Sequence, residues 1–232
     1  MMTDTCLHCG TELTMRPTLM HILLLKKPAK SMLCSACLNQ FAPLLTTHNC
    51  PGCWRQMTEA GYCSDCQGWL QHFPKQIVNH RALYVYNDFA REWMHTFKRL
   101  GDVRYGQVFR EPLQQLITAH FPNATLVPIP SSQSSLTKRG FNQIHVILDT
   151  LNQSYEALLE HVGSGPNQAS KTRQERLSSK QPFQVREARR SSLPPAVLLI
   201  DDVYTTGRTI YHAKEALLNA GINNIGSLSI FR

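Results

Sequence analysis

The sequence has no hydrophobic run long enough to cross a membrane. The longest apolar run near its start covers only residues 22–25, whereas a membrane-spanning helix needs roughly 20 apolar residues. The start of the chain also lacks the basic segment, apolar stretch and small-residue cleavage site of a secretory signal. We therefore expect a soluble, cytoplasmic protein without membrane insertion.

Acidic residues are scarce relative to basic ones, and cysteine is absent beyond residue 66. The 232 residues include 24 Lys and Arg against 16 Asp and Glu, which gives a net charge of +8. This balance is compatible with nucleic-acid or polyphosphate partners. The confinement of all eight cysteines to the first 66 residues predicts a cysteine-rich region at 1–76 and a second domain at 77–232.

The eight cysteines form four pairs, each with a two-residue gap. That gap lets both sulfurs of a tight turn reach one metal ion, and tetrahedral zinc takes four such ligands. Four pairs therefore predict two zinc ions. We expect both ions to be structural, because a site with four cysteines has no open coordination position. The predicted zinc ligands are Cys6, Cys9, Cys34, Cys37, Cys50, Cys53, Cys63 and Cys66.

The spacing alone leaves the pairing of these motifs open. Adjacent pairing is the simplest arrangement and joins residues 6–37 in one site and residues 50–66 in the other. Interleaved pairing uses the same ligands, and an iron–sulfur cluster is a further alternative. Disulfides are disfavoured because the cytoplasm is reducing. Since the region is small and polar, we expect a zinc-ribbon-like region that folds only with its metal.

The remainder of the chain is predicted to alternate between strands and helices. Such alternation indicates an α/β fold with a largely parallel sheet, in which ligands bind at the carboxyl ends of the strands. The predicted strands cover residues 82–86, 124–129, 196–200 and 225–231. The predicted helices cover residues 88–100, 108–120, 141–159 and 208–220. Residues 163–192 are polar and basic, which indicates a mobile loop with a short helix or hairpin inside it.

The stretch LLIDDVYTTGRTI, residues 198–210, places two acids directly after a predicted buried strand. Desolvating one carboxylate is costly and an adjacent one repels it, so we expect a ligand or a metal to compensate. The helix that follows offers free N–H groups and a positive dipole end, which suit a phosphate. A ligand with a phosphate beside vicinal hydroxyls would satisfy both halves of the stretch, and magnesium would offset the repulsion between the acids.

This stretch resembles the 5-phosphoribosyl-1-pyrophosphate (PRPP) binding motif of type I phosphoribosyltransferases. It is not a Walker P-loop, because Gly-Lys-Ser/Thr is missing, and it is not a Rossmann fingerprint. Together with the cysteine-rich start, VPIP at 127–130, KRGFNQ at 138–143 and KTRQERL at 171–177, it resembles the ComF (ComFC/GntX-like) family of late competence proteins. The resemblance covers nearly the whole chain. It implies a type I phosphoribosyltransferase-like parallel sheet flanked by helices.

The resemblance also implies which residues contact the ligand. The implied PRPP-binding residues are Asp201, Asp202, Thr205, Thr206, Gly207, Arg208 and Thr209. The residues implied to contact pyrophosphate or DNA phosphate are Ser131, Ser132, Lys138, Arg139, Lys171, Arg173 and Arg176. Magnesium is expected together with PRPP, and no catalytic residue is assigned.

Two functions of different classes are compatible with these residues. The resemblance implies a competence protein of natural transformation and DNA uptake that handles incoming single-stranded DNA and carries a PRPP-type pocket. The implied partners are single-stranded DNA, a ComFA-type DNA translocase, a recombination mediator and PRPP. The alternative is an active phosphoribosyltransferase that transfers ribose 5-phosphate from PRPP to an unidentified nucleophile, although the sequence has no clear purine-selecting motif.

Overall fold

The structure, a computed structural model, describes residues 5–13, 31–44, 48–74, 76–162 and 181–232. The cysteine-rich region contributes two short helices, α1 (Ser35–Leu38) and α2 (Ser64–His72). The elements that follow are β1 (Asn79–Tyr84), α3 (Asp88–His95), α4 (Arg104–Gln107), α5 (Arg110–His120), β2 (Thr125–Pro128), α6 (Gln133–Arg139), α7 (Gln143–Leu148), β3 (Leu159–His161), β4 (Phe183–Val185), β5 (Ala196–Val203), α8 (Arg208–Asn219) and β6 (Asn224–Phe231). A π-helical turn, Thr96–Leu100, follows α3, and a 3-10 turn, Glu187–Arg189, follows β4.

Four of these strands form one sheet in the order β1-β6-β5-β2, and every neighbouring pair in it is parallel. The short strands β3 and β4 form a separate antiparallel pair. The prediction of an α/β fold with a parallel sheet flanked by helices is therefore confirmed. None of the helices in the described ranges combines the length and the apolar character needed to cross a bilayer.

The strand β5 is buried on both faces, and its alternating residues belong to two separate hydrophobic cores. Leu198 and Ile200 pack into the first core, with residues of α3, α5 and α7. Val197 and Leu199 pack into the second core, with residues of α8 and of the β3–β4 pair. This follows from the strand period of two, which sends successive side chains to opposite faces.

Each core also includes part of the cysteine-rich region. The first core takes in residues from the earlier cysteine pairs and the segment after them, namely Cys6, Leu33, Cys37 and Phe41. The second core takes in the later pairs, namely Cys50, Cys53, Cys63 and Cys66. The cysteine-rich region therefore packs on both faces of the sheet. The predicted division between residues 76 and 77 stays a prediction.

The predicted helix over residues 141–159 is wrong in its second half. The side chain of Asn142 caps the start of α7 by accepting hydrogen bonds from the N–H groups of Ile144 and His145. The helix ends at Leu148, because the polar segment after it, residues 149–154, favours turns over helix. Leu159, which the apolar period placed on that helix, instead begins β3.

Two strands extend beyond their predicted bounds because polar residues are accommodated inside the sheet. The strand β1 begins at Asn79 and includes His80, which is completely buried. The ring of His80 lies with Nδ1 2.9 Å from Ser227 Oγ and Nε2 3.1 Å from Ser229 Oγ, both on β6. Burial, followed by the nearby charge of Arg232, lowers the pKa of His80 well below its usual value, which keeps the ring neutral. The strand β5 runs on to Val203 and so contains both acids.

Gly226 on β6 packs tightly against Phe121, the residue that follows α5. A Cβ atom on Gly226 would lie 2.7 Å from Cε1 of Phe121, which is itself buried. We expect Gly226→Ala to lower the free energy of unfolding by about 1–3 kcal/mol, because the ring has to move within a packed core. Urea denaturation measures this. Gly68→Ala on α2, where nothing lies within 4 Å of the added atom, is the control and should not destabilise. Equal stability of Gly226→Ala and the wild type would contradict the packing described here.

Candidate functional site

The structure brings the eight cysteines together in two groups of four. Within each group, the sulfur atoms all lie within 4.8 Å of one another. Cys9 Sγ lies 3.7 Å from Cys34 Sγ, and Cys53 Sγ lies 3.5 Å from Cys63 Sγ. Tetrahedral zinc with Zn–S bonds of about 2.3 Å requires sulfur atoms roughly 3.8 Å apart. The donor sets therefore fit zinc, and the grouping is the adjacent one.

The two groups differ in their exposure to solvent. We call Cys6, Cys9, Cys34 and Cys37 the first cysteine group, in which Cys9 is exposed and Cys34 is half-buried. We call Cys50, Cys53, Cys63 and Cys66 the second cysteine group, in which every cysteine is buried. In each cysteine group, one peptide N–H lies within hydrogen-bonding distance of a sulfur atom. The N–H of Cys37 lies 3.5 Å from Cys34 Sγ, and that of Cys63 lies 3.4 Å from Cys50 Sγ.

Asp202 lies at the carboxyl end of β5 and is held by a cation and an amide. Its Oδ2 atom lies 2.6 Å from Lys98 Nζ, on the π-helical turn, and accepts a hydrogen bond of 2.6 Å from Gln143 Nε2. The guanidinium of Arg139 in turn donates to the amide oxygen of Gln143. Burial by itself would raise the pKa of Asp202, but the charge of Lys98 and these hydrogen bonds keep it below its usual value. Asp202 is therefore ionised at neutral pH.

Asp201, its neighbour on β5, has no such cation bonded to it among the described residues. Its Oδ1 atom accepts a 2.9 Å hydrogen bond from the peptide N–H of Asp202. Burial, followed by repulsion from the ionised Asp202, raises the pKa of Asp201 to about 7. The two acids thus differ in charge near neutrality, and Asp201 is the acid whose ionisation a ligand or a cation would favour.

The loop between β5 and α8, residues 204–207, is called the phosphate loop here, after the ligand that the sequence resemblance implies. Gly207 ends it with φ of 84°, a left-handed conformation, directly before α8 begins. A Cβ atom at this position would lie 2.1 Å from the hydroxyl oxygen of Tyr204, so only glycine fits. That hydroxyl is buried and has no hydrogen-bond partner within the part of the chain that the structure describes.

The backbone of the phosphate loop carries a row of free donors. In the described ranges, the N–H groups of Thr205, Thr206 and Gly207 donate no hydrogen bond. The side chains of Thr205, Thr206 and Thr209 are exposed and add hydroxyl groups at the same place. Free N–H groups at the start of a helix, with hydroxyls beside them, are suited to an anion such as a phosphate.

The remaining predicted contacts lie partly at this site. Ser131 and Ser132 follow β2, the neighbour of β5, but the Oγ of Ser132 is used to cap α6 by accepting from the N–H of Ser135 at 3.3 Å. Lys138 is exposed at the end of α6. The side chain of Arg208 turns along α8, where its Nε donates to His212 Nε2 at 3.1 Å. Lys171, Arg173 and Arg176 lie outside the described residues.

Sequence reasoning did not assign Lys98 and Gln143 to this site. Gln143 carries a weak signal, because it is a polar residue that opens an otherwise largely apolar helix directly after the cap at Asn142. Lys98 resembles any solvated lysine at a helix end. Only the fold shows that it lies 2.6 Å from Asp202, 104 positions later in the chain.

Comparison with known proteins gives two extensive matches. The chain is 33% identical over 227 residues to a competence protein ComFC of Streptococcus pneumoniae (strain ATCC BAA-255 / R6), covering 98% of this chain and 99% of that protein. It is 30% identical over 233 residues to a competence protein ComFC of Bacillus subtilis (strain 168), covering 98% of this chain and 94% of that protein. No family model matches the sequence.

The two cysteine groups predict a metal content of two zinc ions per chain. Cys9→Ser and Cys66→Ser should each lower this content to one, because each removes a ligand from a different group. Cys66→Ser should also lower the melting temperature more than Cys9→Ser, since Cys66 is completely buried and Cys9 is exposed. Atomic emission and calorimetry measure both quantities. A wild-type content of one zinc would contradict this assignment.

The unequal charge of the two acids predicts a carboxyl group that titrates near pH 7. Carbon NMR of side-chain-labelled aspartate should show this group in the wild type. In Asp202→Asn the same resonance should titrate at lower pH, because the repulsion that helps to raise the pKa of Asp201 is gone. Asp88→Asn is the control, since Asp88 is exposed and pairs only with Arg91 among the described residues. An unchanged midpoint in Asp202→Asn would show that the two acids are not coupled.

Proposed function

The chain belongs to the ComF family of competence proteins, and from this membership we propose that it acts in natural transformation and binds a PRPP-type ligand at the carboxyl edge of its sheet. The competence role is supported by two ComFC relatives that match nearly the whole chain. The ligand is supported by one observation above all. The end of β5 brings two acids of unequal charge next to a loop whose N–H groups are free.

In this proposal the phosphate loop binds the 5′-phosphate. The N–H groups of Thr205, Thr206 and Gly207 donate to its oxygens, and the threonine hydroxyls add further donors. The positive end of the α8 dipole favours the negative charge. Arg208 contributes its backbone, since its side chain is directed to His212. The glycine at position 207 allows the left-handed turn that ends the loop before α8, since any side chain there would collide with Tyr204.

Asp201 and Asp202 bind the ribose hydroxyls in this proposal. A carboxylate accepts hydrogen bonds from vicinal hydroxyls, and such bonds favour the ionised form. Ligand binding therefore lowers the pKa of Asp201, which is close to neutral in the free protein. Magnesium bound with PRPP would act in the same direction, since it brings positive charge to the acids.

The pyrophosphate would face basic groups near Asp202. Lys98 contacts this acid directly, and Arg139 is linked to it through Gln143. Ser131, in the segment that follows the neighbouring strand β2, provides a further hydroxyl. Lys138, Lys171, Arg173 and Arg176 are proposed as additional phosphate contacts on the strength of the family resemblance.

We assign the two cysteine groups to structural zinc ions, because four thiolates leave no open coordination position. In the family setting, the protein would work in the cytoplasm with single-stranded DNA, a ComFA-type translocase and a recombination mediator. The net charge, +8 from the charged side chains and about +4 (8 − 4) once two zinc sites of −2 each are counted, supports backbone contacts to a single strand that do not depend on sequence. PRPP would then serve as a ligand or a regulator of DNA handling.

One set of assays on the same protein tests this proposal. Calorimetry with magnesium and millimolar PRPP should show binding to the wild type. Asp201→Ala should weaken it by at least about tenfold, the usual effect of losing hydrogen bonds to a charged group. Single-stranded DNA binding should fall steeply with salt and should survive Asp201→Ala. Asp88→Ala, which removes an exposed acid, is the matched control for charge and should change neither.

The outcomes separate the two functions. Absence of heat for the wild type would refute the PRPP pocket. Release of pyrophosphate from PRPP that is lost in Asp201→Ala would favour the alternative, an active phosphoribosyltransferase. Single-stranded DNA binding without any pyrophosphate release would favour DNA handling with PRPP as a bound ligand.

A further inference from the structure

We infer that Arg232 and Trp69 tie the second cysteine group to the phosphate loop, so that this metal centre positions the loop for its anionic ligand. This inference rests on the proposed function of the loop. It gives two residues that lie in no known motif a role in orienting the site, and it gives the cysteine-rich region a role in positioning the ligand pocket.

The guanidinium of Arg232 contacts the second cysteine group and the loop at the same time. On the cysteine side, Nε donates to the carbonyl oxygen of Cys53 at 3.0 Å, and Nη2 lies 3.0 Å from Cys53 Sγ. On the loop side, Nη1 donates to the carbonyl oxygens of Thr205 at 3.1 Å and of Tyr204 at 3.4 Å. The same guanidinium lies 4.8 Å from the centre of the Tyr204 ring. One side chain thus joins Cys53 to two consecutive residues of the loop.

The indole of Trp69 provides a second link. Trp69 lies on α2, the helix that also carries Cys66, and its Nε1 donates to the carbonyl oxygen of Thr206 at 2.8 Å. Its ring stacks on that of Tyr211, on α8, with centroids 4.2 Å apart and planes 15° from parallel. The helix α2 is therefore fixed against both the loop and the helix that follows it.

These contacts set the direction of the N–H groups in the loop. The carbonyls of Tyr204, Thr205 and Thr206 all accept hydrogen bonds from the cysteine-rich side or from Arg232. In a planar trans peptide, the carbonyl of one residue and the N–H of the next point in opposite directions. The N–H groups of Thr205, Thr206 and Gly207 are consequently directed away from the second cysteine group, and they are the free donors described above.

Charge makes this link dependent on the metal. A zinc ion with four thiolates carries a net charge of about −2, which favours a guanidinium at Cys53 Sγ. Without zinc, the four cysteines are no longer held in one fixed arrangement, and Arg232 loses the fixed Cys53 carbonyl and sulfur on which its position depends. Metal occupancy and ligand binding are then coupled. Because such coupling is reciprocal, a bound ligand should also retain the zinc ion.

Trp69→Phe isolates the link to Thr206, because phenylalanine keeps an aromatic ring on Tyr211 but has no N–H donor. Calorimetry with ribose 5-phosphate, which presents only the phosphate and the ribose, should show about fivefold weaker binding than the wild type. Zinc content should stay at the wild-type value. Trp54→Phe is the matched control, since that ring packs against the Arg81 guanidinium at 3.9 Å and not against the loop. Equal affinity of Trp69→Phe and the wild type would overturn the positioning role.

Zinc release gives a readout that does not depend on ligand binding. With a chromogenic chelator, Arg232→Gln should accelerate release from the second cysteine group by about tenfold, as is usual when a group bonded to a metal ligand is removed. Cys9→Ser, which disrupts only the first cysteine group, identifies this release, because the release phase that remains in that variant comes from the second group. Millimolar ribose 5-phosphate should slow it in the wild type and not in Arg232→Gln. Equal rates of zinc release in Arg232→Gln and the wild type would overturn the inference. Failure of the wild type to bind ribose 5-phosphate would instead refute the proposed function.

Discussion

The cost of burying two adjacent carboxylates is the constraint on which the pocket depends. Asp201 and Asp202 lie within β5, a strand whose other residues are packed in two hydrophobic cores. Ionising both acids there is costly, because burial disfavours each carboxylate and each repels the other. The protein supplies one cation, Lys98, to Asp202, and leaves Asp201 to titrate near neutrality. The unliganded site therefore lacks a second positive charge near Asp201, which a divalent cation would supply.

The cysteine-rich region is stabilised by its packing on the sheet. It is small and polar, and the short helices α1 and α2 provide little apolar surface of their own. Its cysteines complete hydrophobic cores on both faces of the sheet, so the region and the sheet stabilise each other. This arrangement explains how a long-range contact such as Arg232 with Cys53, 179 positions apart, can have fixed geometry.

The sequence was sufficient for features that depend on local spacing. The CxxC pairs identified residues that the structure gathers in two groups, and the alternation of strands and helices predicted the parallel sheet. Apolar period alone failed at residues 149–159, where turn-forming residues end α7 and Leu159 belongs to β3. The roles of Lys98 and Arg232 could not be predicted, because their partners lie far away in the chain and nothing near them marks the contact, and the weak signal at Gln143 does not identify Asp202 as its partner.

The opposite placement of the two cysteine groups has a consequence for how such proteins can diverge. The first group packs on the face of the sheet away from the phosphate loop's anchors, so a descendant could lose it and compensate with apolar residues in the same core. The second group is joined to the loop by Arg232 and Trp69. Its loss would leave Arg232 without its partner Cys53 and would disturb the helix from which Trp69 bonds the Thr206 carbonyl. The fold therefore gives the two cysteine groups unequal evolutionary freedom.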